Sequence, residues 1–258
     1  MKILRIRNFR NKIEGYYQRK SAHFFAKRKI LWTGEKPVIS FTFDDFPRSS
    51  FILGGKILGA HHCLGTYFAS LGLAGASSPS GELFSWEDLK ELLSKGHEVG
   101  CHTYNHLDAW KTTPRLFRES IIKNREAMRS VFPGHAFRSF AYPLTEPQPR
   151  IKRIAQEYFT CCRGGGRALN SGWIDLNLLK SFFIDIKSRN NLDYFRGIIE
   201  KNRVDKSWLI LSTHDISENP SDYGCSPELF EEIVRYAVDS SADILPLAQV
   251  ISRLTDRT

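Results

Sequence analysis

The chain has 258 residues, 41% hydrophobic and 12% aromatic, with five cysteines and a formal charge of +9 at pH 7. That length suits one sizeable core, and no run nears the ~18 consecutive apolar residues of a membrane-spanning helix. The charge excludes less than it suggests: residues 1–36 carry 11 Lys or Arg against Glu14 and Glu35 while the rest hold 26 basic and 26 acidic groups, so the body lacks the basic, aromatic-interleaved surface of a nucleic-acid binder and no nucleic-acid partner is expected.

In the basic arm Ile6, Phe9, Ile13, Tyr16, Tyr17 and Phe24 follow steps of three and four, apart from a gap at Lys20. The spacing predicts a basic amphipathic helix over this segment, 1–36, which either lies on an anionic membrane surface or packs on the domain. Charges interrupt the apolar core that a secretory signal needs. The five cysteines, Cys63, Cys101, Cys161, Cys162 and Cys225, are odd in number and lack metal-finger spacing. They are expected to be buried free thiols in a reducing cytoplasm, with the chain cytoplasmic or peripheral at the inner face of the membrane.

Beyond the arm, residues 38–43 read as a buried strand, 51–60 as a helix, 65–69 as a strand, 86–95 as a helix and 97–102 as a strand. The alternation continues with 114–131 helical, 136–142 extended, 149–158 helical, 159–162 and 181–186 extended, and 192–201 helical. It closes with strand 208–213, helix 227–238, strand 243–245 and helix 248–254. Strands separated by helices make parallel βα units with both faces covered. The expected fold is α/β: one distorted or incomplete (β/α) barrel over residues 37–258, with about seven parallel strands. Chemistry in such folds sits at the C-terminal strand ends, and Asp44-Asp45, His102, Tyr142 and His214-Asp215 all fall there.

Two carboxylates closing one strand repel unless a cation holds one of them, which leaves the other ionised as a base. His102 and His106 stand four residues apart, a spacing that puts two imidazoles within reach of one ion. Together these residues suggest a catalytic metal with a water-activating carboxylate, hence a hydrolase. His214, ending the strand Trp208–Thr213, is placed as a general acid for a leaving group. His23, His61, His62, His97 and His135 have no such context and are read as structural. Gly164-Gly165-Gly166 lacks the following Lys-Ser/Thr of a phosphate loop and is read as a turn.

The sequence resembles the polysaccharide deacetylases of the NodB-homology type, the family 4 carbohydrate esterases, from about Pro37 to Leu254. The carriers are Thr42-Phe43-Asp44-Asp45, the stretch from Ser85-Trp86-Glu87-Asp88-Leu89 through Gly96-His97-Glu98-Val99-Gly100-Cys101-His102-Thr103, His106, Phe140-Ala141-Tyr142-Pro143, and Leu211-Ser212-Thr213-His214-Asp215. The resemblance implies a hydrolase of non-peptide carbon–nitrogen bonds that removes acetyl groups from N-acetylated saccharides with a divalent metal, usually zinc. Asp45, His102 and His106 would bind the metal, Asp44 would be the base, His214 the acid, and a backbone N–H near Tyr142 would hold the oxyanion. A non-catalytic metal- and sugar-binding barrel and a deacylase of O-acetyl esters are the alternatives.

The chain departs from the family pattern in three places. Phe46 stands where Gly usually follows the two Asp, so a narrowed pocket or a reshaped loop is expected. The Arg-x-Pro-Tyr string, whose Arg orients the base, reads Ala141-Tyr142-Pro143-Leu144. Arg163 and Arg167, then Arg138, are the candidates to replace that Arg. The Asp-x-x-Asp-Trp string that tunes the acid His is missing, with Asp185 and Asp175 as stand-ins.

Overall fold

The computed structural model of the protein describes residues 14–144, 146–186 and 191–255. Ile6, Phe9 and Ile13 of the expected amphipathic helix lie outside that range. Residues 14–24 are helical (α1), and Ala22 on this helix enters the core. After it, β1 (Lys29–Leu31) pairs antiparallel with β9 (Trp173–Asp175). The fully buried Lys152 donates from Nζ to the carbonyls of Ala22 (2.8 Å) and Phe25 (2.9 Å) and to Asp175 Oδ2 (2.8 Å). Residues 14–31 are therefore pinned to the barrel wall, while the rings of Tyr16, Tyr17, Phe24 and Phe25 stay exposed.

The main sheet is built on β2 (Val38–Phe43), an apolar run buried at all of its positions because both faces are covered. Its neighbours are β3 (Thr66–Ala69), β6 (Glu98–Cys101), β7 (Ser139–Ala141) and β8 (Cys161–Arg163) on one side, and β11 (Trp208–Thr213) and β10 (Phe182–Phe183) on the other. The order is β10-β11-β2-β3-β6-β7-β8, seven strands all parallel. Leu179, just ahead of β10, bridges in parallel to Arg163 on β8, so the sheet curls round toward itself. An eighth strand, β12 (Asp243–Ile244), pairs with Val38 and Ile39, while β3 pairs with Thr42 and Phe43. β12 thus fills the lower half of an edge whose upper half belongs to β3.

Helices α2 (Lys56–Ala60), α3 (Trp86–Ser94), α4 (Pro114–Val131), α5 (Pro149–Ala155), α6 (Leu192–Asp205), α7 (Pro227–Asp239) and α8 (Leu247–Thr255) complete the βα alternation. The starts of α3, α4, α6 and α7 carry side-chain caps from Ser85, Thr113, Asn191 and Ser226. The structure departs from the expected elements in several places. The helix expected at 51–60 begins with a wider π-type stretch, Ser50–Gly55, before α2. The strand expected at 181–186 pairs only at Phe182–Phe183, because after Ile184 donates to the Ser212 carbonyl (2.8 Å) the chain leaves the sheet. The ribbon β4 (Ser77–Ser78) with β5 (Gly81–Glu82) was not anticipated; two-residue strands carry no period to read. All five cysteines are buried and unpaired.

Candidate active site

Register places the chemistry. β2 and β11 run level from Val38↔Trp208 to Phe43↔Thr213, so the residues that follow them, Asp44 and His214, leave the sheet side by side. The Asp44 N–H donates to the Thr213 carbonyl (2.9 Å) and locks that alignment. Asp45 and Phe46 then take left-handed backbone, with φ of 61° and 50°. That geometry is where glycine is cheapest, which is the residue the resemblance leads us to expect at position 46. Here Phe46 is fully buried and stacks on Phe84 with ring centroids 4.8 Å apart. The expected narrowing of the pocket is therefore corrected: the ring points into the core, and Phe46 reshapes the loop from behind.

On the neighbouring strand, β6 ends at Cys101 and delivers His102, which is 2% exposed. Its Nδ1 lies 2.8 Å from the Ala141 carbonyl, an acceptor only, so Nδ1 carries the proton and Nε2 presents a lone pair. Asp45 Oδ1 is 3.4 Å from His102 Nε2 and 3.2 Å from His106 Nε2. One ligand atom from each of the three residues lies within 4.8 Å of the others. His106 is drawn into place by a left-handed turn of its own (φ 52°). Burial first, and then the neighbouring His102, push the His106 imidazole below its usual range. Burial opposes ionisation of Asp45, but the imidazole of His102 beside it, with those of His106 and His214, holds its carboxyl well below the usual range. Two imidazoles and one carboxylate converging this closely form a donor set that fits a divalent metal.

Asp44 is buried and receives a hydrogen bond from Nη2 of Arg163, which is itself fully buried at the end of β8. The guanidinium lies between two rings, 5.1 Å from the Phe68 centroid and 5.6 Å from that of Phe183. Gly100 makes room for Phe68, since a Cβ there would fall 2.4 Å from its ring. Of the three arginines considered for this role, Arg163 alone among the described residues touches Asp44. Arg167 lines the cleft, and Arg138 lies on the far side beside His135 and His97.

Tyr142 requires a correction. Its N–H donates to the Arg163 carbonyl (3.0 Å) and its hydroxyl to the Asn177 carbonyl (3.1 Å), and the residue is fully buried. Both donors are consumed by the wall, so Tyr142 does not present a hydrogen bond to an oxyanion. Leu144, two residues on, lines the cleft instead.

The cleft has a volume of about 740 Å³ and takes in Asp44, Asp45, His102, His106, Asp185 and His214. His214 sits between Phe183 and Tyr223, and its buried Nδ1 has no hydrogen-bond partner among the described residues. Of the two stand-ins for the acid-tuning carboxylate, Asp185 shares the cleft. Asp175 does not: it is tied to Lys152 and to the backbone of Arg28 and Asn177. Asp215 is structural, accepting from the Ser221 N–H (2.8 Å) and hydroxyl. Sequence reasoning missed the ribbon at the rim: Ser77 and Ser80 line the cleft, and Ser80 Oγ lies 3.4 Å from Ser221 Oγ.

Residues 33–159 match the family model described as Polysaccharide deacetylase. That match takes in 127 of the 258 residues, so just under half of the chain is similar in sequence to the polysaccharide deacetylases. The chain's class of reaction is that of a carbohydrate deacetylase, a hydrolase. Among solved structures, the chitin deacetylase of the fungal pathogen Colletotrichum lindemuthianum shares the fold at 17% identity, over 85% of this chain and 89% of that one, with a TM-score of 0.60. BA3943 of Bacillus anthracis, described as a CE4 family pseudoenzyme, shares it at 13% identity, over 84% of this chain and 66% of that one, with a TM-score of 0.54. IcaB from Ammonifex degensii is 25% identical over 48% of this chain, which spans 57% of that protein, with a TM-score of 0.43. No curated protein matches the sequence.

Proposed function

We propose that this deacetylase hydrolyses the acetamide of an N-acetylated sugar, with Asp45, His102 and His106 holding a divalent metal, Asp44 as general base and His214 as general acid. The observation that carries the reading is the pairing of Asp44 with the buried Arg163 beside the Asp45–His102–His106 trio, in one cleft with His214. A divalent ion, zinc being suited to two imidazoles and a carboxylate, would supply Lewis acidity and acidify water at that trio. Asp44, aimed by its pairing with Arg163, takes the proton of the attacking water, and His214 protonates the departing amine.

The fold alone does not decide activity, since a protein described as a pseudoenzyme shares it. Two departures that would favour a non-catalytic barrel are compensated in this chain: Phe46 turns its ring away from the cleft, and Arg163 reaches the base from β8. In the same reading the sugar belongs to a glycan or to a lipid- or nucleotide-linked precursor, met in the cytoplasm or at its membrane face. The basic residues of 1–36 and the exposed Tyr16, Tyr17, Phe24 and Phe25 support that placement. If a chain lacking residues 1–13 partitions onto anionic vesicles as the full chain does, those residues have no part in it.

The test of the reaction measures bound metal and acetate release on N-acetylated and O-acetylated sugars. Asp44→Asn should keep the metal and lose acetate release by a factor of about 10² or more. Metal bound with no acetate from any substrate would establish the binding barrel instead. Acetate release surviving in a metal-free His102→Ala or His106→Ala chain would sink the ligand assignment.

A further inference from the structure

A second cavity, of about 220 Å³, lies away from the cleft, where α1 and β1 meet the loop that leads from β8 to β9 and the approach to β10. His23, Lys27, Lys29 and Lys180 all line it. The deacetylase reading uses none of them. The one acid in the wall, Asp175, is already committed: Oδ1 accepts from the N–H groups of Arg28 and Asn177 (2.9 Å each) and Oδ2 from Lys152 Nζ (2.8 Å). Among the described residues, none of the ammonium groups of Lys27, Lys29 and Lys180 has a carboxylate within salt-bridge distance. The lining thus sets four basic side chains against one carboxylate that is already engaged, with Asp175 and Glu146 the acids whose charge reaches Lys180.

The neighbours feel that charge. Burial first, then Lys180, Lys27 and Lys20, push the His23 imidazole below its usual range. Burial first, then Lys152, push the Lys180 ammonium down as well. Lys180 is nonetheless held in place: its backbone N–H donates to Asn170 Oδ1 (2.9 Å), and its stem lies so close to Gly166 that a Cβ there would fall 2.6 Å from Lys180 Cδ. Gly166 also has a φ of +116°, so the triple-glycine turn is what lets the lysine stem pack against backbone.

We propose that this cavity binds a phosphate group, with Lys180, Lys27, Lys29 and His23 as its ligands. A compact dianion suits three ammonium groups and an imidazole better than a single carboxylate does, because it can accept from several donors at once. The phosphate can come from a lipid headgroup or from a soluble phosphate ester. Trp173 in the cavity wall and the adjoining Phe24 and Phe25 are 68%, 57% and 59% exposed, an aromatic rim of the kind that seats in a membrane interface.

The test titrates the full chain with pyrophosphate at low ionic strength by calorimetry, and separately sediments it with phosphatidylcholine vesicles with and without phosphatidylglycerol. Lys180→Gln and Lys27→Gln are the probes, and Lys201→Gln, on an exposed ion pair with Asp205, is the control. Each probe should weaken pyrophosphate binding about tenfold or more while the control does not, and added salt should weaken it further. Loss of anionic-vesicle binding in the same probes, with competition by pyrophosphate, assigns the lipid source; pyrophosphate binding without vesicle binding assigns the soluble one. Pyrophosphate binding that is absent, or equal in the native and probe chains, overturns the site. Lys27→Gln changes a partly exposed side chain and guards against loss of folding at Lys180.

Discussion

At the scale of single residues, the site depends on how buried charges are matched. Asp44 and Arg163 are both removed from water, and Arg163 Nε and Nη1 have no partner among the described residues. Taking away one member of such a pair strands the other, which costs about 3–5 kcal/mol. Arg163→Met should therefore lower the unfolding free energy measured in urea by that order and abolish acetate release, while metal content, which rests on other residues, is retained in the folded fraction. Phe46 poses the opposite question, because glycine would relieve left-handed strain of about 1–2 kcal/mol but empty a site where loss of an aromatic ring costs about 3–5 kcal/mol. Packing wins, so Phe46→Gly should destabilise by about 2 kcal/mol in chemical denaturation; a stabilised variant would refute that balance. Asp44, Asp45 and His214 were legible as candidates because they follow six-residue apolar strands, and His102 and His106 because they stand four residues apart. The identity of the base-orienting arginine could not be fixed: Arg163 and Arg167 were equally eligible until the bridge between Arg163 and Leu179 showed which strand end faces Asp44. The expected backbone donor at Tyr142 failed for a similar reason, since nothing local reveals that its N–H is spent on the Arg163 carbonyl of the next strand.

At the scale of elements, buried polar side chains do the fastening that apolar packing leaves undone. Lys152 holds the C-terminal end of α1, and Glu98 holds α8 at the foot of the barrel by accepting from the Ala248 N–H (2.9 Å), with Thr66 and Ser139 as further donors. Burial pushes the Glu98 carboxyl up. Lys152→Met should raise hydrogen exchange across 21–31 and 173–175 while leaving metal affinity unchanged; unchanged exchange would show that α1 is held by its apolar contacts alone. Long elements were legible because their periodicity repeats: 114–131 and 208–213 were read at the bounds they have. Short ones were not. The β1–β9 and β4–β5 ribbons are held by tertiary neighbours, and the buried roles of Lys152 and Glu98 look, in sequence, like ordinary surface charges.

At the scale of the whole molecule, pH dependence of stability should follow His97 on the acid side. It is buried beneath the sheet, with Nδ1 accepting from the Gly65 N–H (3.0 Å), and burial, then Lys95, lower its pKa from the ordinary 6.5 to about 4. The unfolded chain therefore takes up this proton first as pH falls. The contribution of His97 to stability is complete above about pH 6.5 and is lost progressively toward pH 4, amounting to at most about 3 kcal/mol. His97→Asn, which can still accept from Gly65, should flatten the fall of Tm between pH 7 and pH 5; a native-like slope would remove His97 from the account. A last consequence concerns how the fold is reached. β2, the strand that carries Asp44, has Thr42 bonded to Ser212 across 170 residues of chain and Ser40 bonded to Leu245 across 205. Closing loops of that length before any reward makes folding slow. On the ribosome β2 can pair early with β3 along Thr42 and Phe43 only, and the rest of its edges must wait, apolar and unpaired, until β11 and β12 have emerged, so the strand that carries Asp44 stays open to wrong partners through most of synthesis.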